Sequence, residues 1–210
     1  MAVITISREF GAGGKTLGRA LAKKLGYTLA DEEIIQKIAE KANVSKDWVK
    51  STEQEVGGKL LKFISGLISK NYVERLIGSD RGFMDEDIFV DALREVIIQI
   101  AEEDNVIILG RAGQYILQDY PNVFHILLIA SKEDRIRFME KHYELSRPEA
   151  ENIVEVYEKR RINLYKTFGR EDYEQPELYH MVLNMSKLNM DKAADFIFRL
   201  VSGAAEGLLK

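Results

Sequence analysis

The chain has 210 residues, 46% of them hydrophobic and 30% charged, and a formal net charge of −4. That length suits one α/β domain with an insertion, and the mild negative charge gives no support for a general nucleic-acid surface. The absence of cysteine excludes disulfides and thiol chemistry. Met1 leads directly into an apolar strand and no apolar run approaches the roughly 18 residues of a membrane helix, so a cytoplasmic protein is expected.

The predicted elements begin with Val3-Ile4-Thr5-Ile6, a short β-branched run that reads as a buried strand. Gly11-Ala12-Gly13-Gly14 follows, then Lys15 and Thr16. From there the pattern is helical, with Leu17, Ala20, Leu21 and Leu25 on one face and Gly26 as the stop. Strand, glycine loop, Lys-Thr and helix together build a phosphate-binding loop. Glycines let backbone N–H groups turn inward around phosphate oxygens, and the helix N-terminus adds partial positive charge. Lys15 is expected to reach the β- and γ-phosphates of ATP, and Thr16 to ligate Mg²⁺. In G-x-x-x-x-G-K-[ST] the leading glycine falls on Glu9. Its carboxylate would face a polyphosphate unless Gly11 takes the turning role.

Tyr27 to Ala30 predicts a brief strand, and Asp31 opens a helix through Ile34, Ile35 and Ile38. Asp31 reads either as the N-cap of that helix or as a carboxylate across the cleft from the glycine loop. Residues 43 to 85 carry two helical patterns, the sole tryptophan (Trp48) and a GSDRG loop at 78 to 82. They predict a helical insertion, either a substrate-side flap or an ordinary subdomain or dimer surface. A long amphipathic helix then runs from Asp85 to Ala101, with Arg94 near its middle counted among the substrate-binding candidates.

Asn105 to Leu109 is a continuous apolar run, the mark of a strand buried on both faces of a parallel sheet. Gly110-Arg111 therefore stands at a strand's carboxyl end, where open α/β sheets bind ligands, and Arg111 reads as an anion contact in preference to an internal salt bridge. Val123 to Ala130 is another buried strand, whose His125 reads as a satisfied core histidine. Ser131 to Asp134 predicts a capping-box helix start, and Ser146 the N-cap of a helix over 146 to 166. That helix ends in Lys159, Arg160 and Arg161, either a solvated face or the cations that phosphoryl transfer requires. A short strand at 180 to 184 and a helix at 190 to 200 close the chain. Alternation of strands and helices from end to end predicts a parallel sheet covered on both faces.

ITISREFGAGGKTLGRALAKKLGY, DEEIIQKIAE, VIILGRAGQYIL and MVLNMSKL together resemble the cytidylate kinase-like family, within the P-loop nucleoside monophosphate kinases. The resemblance covers nearly the whole chain. It implies a single three-layer P-loop NTPase domain over 1–210, with a helical acceptor-binding insertion at 31–85 and a lid at about 143–172. It also implies γ-phosphoryl transfer from Mg-ATP to CMP, dCMP or a related small acceptor. Gly11, Ala12, Gly13, Gly14, Lys15 and Thr16 correspond to the donor-phosphate loop, Asp31 to the acidic residue opening the acceptor-site helix, and Arg111 to the arginine contacting the acceptor phosphate. Arg160 and Arg161 resemble the lid arginines, with Arg135 as a further one. Cytidylate kinases read DGRD where this chain reads Leu109-Gly110-Arg111-Ala112, so both aspartates are absent. Another small-molecule kinase of this fold, or an ATP-binding regulatory module without transfer activity, are the alternatives.

Overall fold

The computed structural model describes residues 2–30, 86–170 and 175–205. Two compact units divide the chain, one comprising Met1–Leu29 with Glu103–Lys210 and the other Ala30–Glu102. Asp31 and the expected insertion at 31–85 lie outside the described residues. Of the second unit, α2 (Glu86–Glu102) is a helix of 17 residues in which Leu93, Val96, Ile97 and Ile100 are buried.

The strands are β1 (Val3–Arg8), β2 (Thr28–Ala30), β3 (Val106–Leu109), β4 (Val123–Ile129) and β5 (Met181–Asn184). They form a five-stranded parallel sheet in the order β2-β3-β1-β4-β5. β1 is central, with Ile4 beside Ile107 on one side and Phe124 on the other. A strand with neighbours on both edges and helices on both faces can carry apolar side chains throughout, and Val3, Ile4 and Ile6 are all buried.

One face of the sheet presents Ile4, Ile6, Ile107, Leu109, Ile126 and Leu128. Two helices cover it, α1 (Gly14–Leu25) through Leu17 and Leu21, and α6 (Met190–Ala205) through Ala193, Ala194, Ile197 and Val201. Gly26 ends α1 in a left-handed conformation, as its position in the sequence predicts. On the opposite face lies α3 (Gly113–Ile116), a four-residue helix that the sequence pattern does not reveal. A Cβ on Gly113 would come 3.1 Å from Ile108 Cγ2 and 3.4 Å from Thr5 Cγ2, so glycine brings this helix onto the sheet.

Among the described residues the other two α-helices are α4 (Lys132–Tyr143) and α5 (Arg147–Thr167), which pack on each other through Ile136, Met139, Ala150 and Val154. Ser146 and Glu149 form a reciprocal capping box on α5, the Glu149 carboxylate accepting the Ser146 N–H at 2.9 Å. At α4 the expected box is incomplete. Ser131 Oγ accepts the Asp134 N–H at 3.2 Å, but the Asp134 carboxylate takes the Ser131 hydroxyl, while the Ser131 N–H donates to Ser186 Oγ. No helix among the described residues is long and apolar enough to cross a membrane.

Candidate active site

Because the sheet is parallel, the segments following β1, β3 and β4 leave it at one edge. After β1 the chain continues one more step along β4, the Glu9 N–H donating to the Leu128 carbonyl at 3.0 Å, and then turns, with the Ala12 N–H donating to the Glu9 carbonyl at 3.1 Å. Gly11 (φ 91°) and Gly13 (φ 82°) are left-handed, so the turning role falls to Gly11. Gly13 caps α1 with no side-chain hydrogen bond, and the place of a Cβ there is filled by Met190 Cε. Ala12, Gly13 and Gly14 are buried, Lys15 is half-buried and Thr16 is exposed on the first turn of α1. A bare helix N-terminus behind a turn of small residues suits phosphate oxygens, through both its N–H groups and its dipole.

Glu9 does not face that turn as a loose charge. Its Oε2 accepts the Ala130 N–H at 2.6 Å and lies 3.8 Å from Arg135 Nε. Arg135, the further lid-arginine candidate, is nine-tenths buried beneath the loop, its Nη1 donating to the Phe10 carbonyl at 3.2 Å. A Cβ on Gly11 would come 2.9 Å from Arg135 Cβ, which adds a packing reason for glycine to the conformational one.

At the end of β3, Gly110, Arg111 and Ala112 all have positive φ, of 72°, 58° and 58°. Two consecutive non-glycine residues in this region are strained, and such strain gathers at functional sites. The turn ends at α3, whose Gly113 N–H donates back to the Gly110 carbonyl at 3.1 Å. Arg8, a residue the sequence reading passed over, joins the two loops. Its aliphatic stem lies against Gly14, 3.0 Å from where a Cβ would stand, and its guanidinium fills the place of a Cβ on Gly110. The signal available for it was an arginine ending an otherwise uncharged strand shortly before the glycines.

The basic helix end comes to the same loop. The Phe10 ring stacks on Tyr157 with centroids 4.5 Å apart, and the Arg160 guanidinium lies 4.6 Å from the Tyr157 centroid. Arg161 is nine-tenths buried, with Nε donating to Glu158 Oε1 at 3.1 Å and its guanidinium 5.4 Å from the Tyr165 ring. Arg160 and Arg161 thus both lie against tyrosine rings. Arg94 is exposed on α2, in the second unit.

Behind Arg161 stands a group of tyrosines. Tyr115 and Tyr165 meet edge to face at 5.2 Å, and burial, followed by the neighbouring Tyr165, pushes the Tyr115 hydroxyl up to about 12. The Tyr179 hydroxyl is likewise raised, chiefly by burial. Ser7 lies close enough to moderate that rise, yet neither Ser7 Oγ nor Tyr179 OH closes a well-formed hydrogen bond. His125 is satisfied as expected. Its Nδ1 bonds Thr5 Oγ1 at 2.7 Å, and burial, then His180, lowers its pKa to about 4.

The chain matches the cytidylate kinase-like family over residues 3–187. Among solved structures it is similar to an uncharacterized protein from Eubacterium ventriosum ATCC 27560, with 19% identity, a TM-score of 0.67 and coverage of 96% of this chain and 98% of that one. A gluconokinase from Sinorhizobium meliloti 1021 gives 11% identity and a TM-score of 0.53, covering 99% and 95%. A shikimate kinase from Acinetobacter baumannii in complex with shikimate gives 17% and 0.51, covering 97% and 94%. No curated protein matches the chain. The fold is that of the P-loop kinases.

Proposed function

The chain belongs to the cytidylate kinase-like family, and from that premise we propose that it moves the γ-phosphoryl group of Mg-ATP to CMP, dCMP or a related small acceptor. The observation that carries this reading is the convergence of three features at one sheet edge. They are the bare N-terminus of α1 behind Gly11 and Gly13, the strained Gly110-Arg111 turn, and the Arg160-Arg161 segment joined to the loop through Phe10. Lys15 and the loop amides bind the β- and γ-oxygens. Arg160 and Arg161 offset the charge of the transferring group, and Arg111 holds the acceptor phosphate. Asp31 and Arg94 contribute to the acceptor side. Catalysis is then positioning and charge stabilisation, with no covalent enzyme intermediate.

Among the described residues no group of three His, Cys, Asp or Glu side chains could hold a metal ion. The exposed Thr16 hydroxyl at the loop nevertheless fits Mg²⁺, an ion that typically keeps few protein ligands beside substrate phosphates and water. When bound, Mg²⁺ neutralises phosphate charge. Leu109 and Ala112, in place of the two aspartates of cytidylate kinases, favour a second reading in which the acceptor is a different small molecule. A cytoplasmic setting and a homodimer belong to the same proposal.

The test is acceptor-stimulated ADP release with Mg-ATP and CMP, dCMP, UMP, AMP, GMP, shikimate or gluconate. Stimulation by CMP or dCMP, reduced at least about 100-fold in Lys15→Ala, is expected. Stimulation by another acceptor keeps the mechanism and changes the substrate. Silence throughout, with Mg-ATP binding intact by calorimetry, would point to a regulatory module.

A further inference from the structure

Glu158 makes an unusual set of contacts for one side chain on a long charged helix. Its Oε2 accepts the backbone N–H of Phe10 at 2.9 Å and lies 3.4 Å from Arg135 Nη1. Its Oε1 accepts Arg161 Nε at 3.1 Å, with a second, shorter contact from Arg161 Nη2. The carboxylate is about four-fifths buried, and both arginines are nine-tenths buried. Glu9, Arg135, Glu158 and Arg161 thus form a chain of alternating charge, running from the first residue after β1 to α5. Such pairs, largely removed from water, are weakly screened and therefore sensitive to any new charge beside them.

We propose that Glu158 is a positioning residue that couples the seating of a polyphosphate in the glycine loop to the placement of Arg161. The inference rests on the phosphotransfer reading above. Phe10 immediately precedes Gly11, so a shift of the loop around phosphate oxygens moves the N–H that Glu158 holds. The same carboxylate fixes the direction of the Arg161 guanidinium, so loop and arginine respond together.

Glu158→Gln separates this role from simple packing, because the amide oxygen still accepts the Phe10 N–H while the charge facing Arg161 is gone. Mg-ATP binding to the full chain is measured by calorimetry for the unaltered protein, E158Q, R161A and the double variant, with Arg161→Lys as a milder replacement. Each single change is expected to weaken binding about tenfold and the double change little further, since coupled residues are not additive. Mg-ATP is also expected to slow hydrogen exchange of the Phe10 amide in the unaltered chain and to lose that effect in E158Q. Additive losses of about 100-fold, or E158Q binding Mg-ATP as the unaltered chain does, would overturn the coupling. Failure of the unaltered chain to bind Mg-ATP would overturn the phosphotransfer reading and the coupling with it. The two failures are distinct, because one is seen before any substitution.

Discussion

Glu9 Oε2 and the backbone N–H of Ala130 lie 2.6 Å apart, tying the residue after β1 to the residue after β4. This contact explains why a carboxylate stands where a phosphate-binding loop ordinarily starts with glycine. It satisfies a backbone donor at the end of a buried strand and neutralises part of the charge of Arg135. Neither task is open to a glycine.

Glu9→Gly, which would restore the glycine of the loop pattern, is therefore expected to harm the protein. It leaves the Ala130 N–H without its acceptor and Arg135 with one carboxylate fewer, a loss of about 1–3 kcal/mol in unfolding free energy. Urea unfolding at pH 7 measures the loss, and calorimetry with Mg-ATP the affinity. Tighter nucleotide binding at unchanged stability would refute the structural role of Glu9.

Gly110→Ala meets two obstacles. A φ of 72° costs a residue with a Cβ about 1–2 kcal/mol, and the Cβ falls where the Arg8 guanidinium lies. Adding Arg8→Ala removes the second obstacle and leaves the first, so the double variant should regain part of the lost melting temperature. Acceptor-stimulated ADP release should stay low in both, because the Arg8 guanidinium packs on Gly110 of the turn that carries Arg111. A Gly110→Ala protein that melts and turns over normally would show that the two loops are not braced by Arg8.

Stability should fall as the pH drops from about 6.5 towards 4. His125 takes up a proton near 6.5 when unfolded but only near 4 when folded, because burial and His180 disfavour its charge. Between those values the unfolded chain binds more protons, so acid favours unfolding; the contribution is complete above 6.5 and is lost by 4. At pH 5 the loss comes to roughly 2 kcal/mol relative to pH 7. Denaturant titrations at both pH values measure it, and His125→Gln should flatten the difference. An unchanged pH dependence in that variant would assign the effect to other groups.

The strands at the heart of the sheet were legible because burial on both faces removes any need for polar alternation, as in Val106–Leu109 and Val123–Ile129. The glycine loop was legible for a related reason, since its chemistry is local and its residues are consecutive. The short α3 was not legible, because it exists through packing of Gly113 on Thr5 and Ile108. That Gly11 could take the turning role was legible, but the partner of Glu9, 121 residues away, was not. Glu158 looked like any acid on a charged helix. Its partner Phe10 is 148 residues distant, and no spacing rule reports such a contact. Arg111 was readable as a strand-end arginine, but its left-handed backbone was not.

The placement of β1 also sets the order in which the protein can be made. Ser7 pairs with Leu127 and Ile6 with Leu109, so β1 leaves the ribosome well before the strands it must lie between. At roughly 5–20 residues per second, many seconds of synthesis pass before the central position of the sheet can be filled. Through that interval an apolar N-terminal segment with unpaired backbone groups stays exposed to chaperones, proteases and other nascent chains. The glycine loop, suspended from the end of that strand, is tied to β4 through Glu9, so a truncated product ending before residue 123 has no means of holding the loop in this conformation.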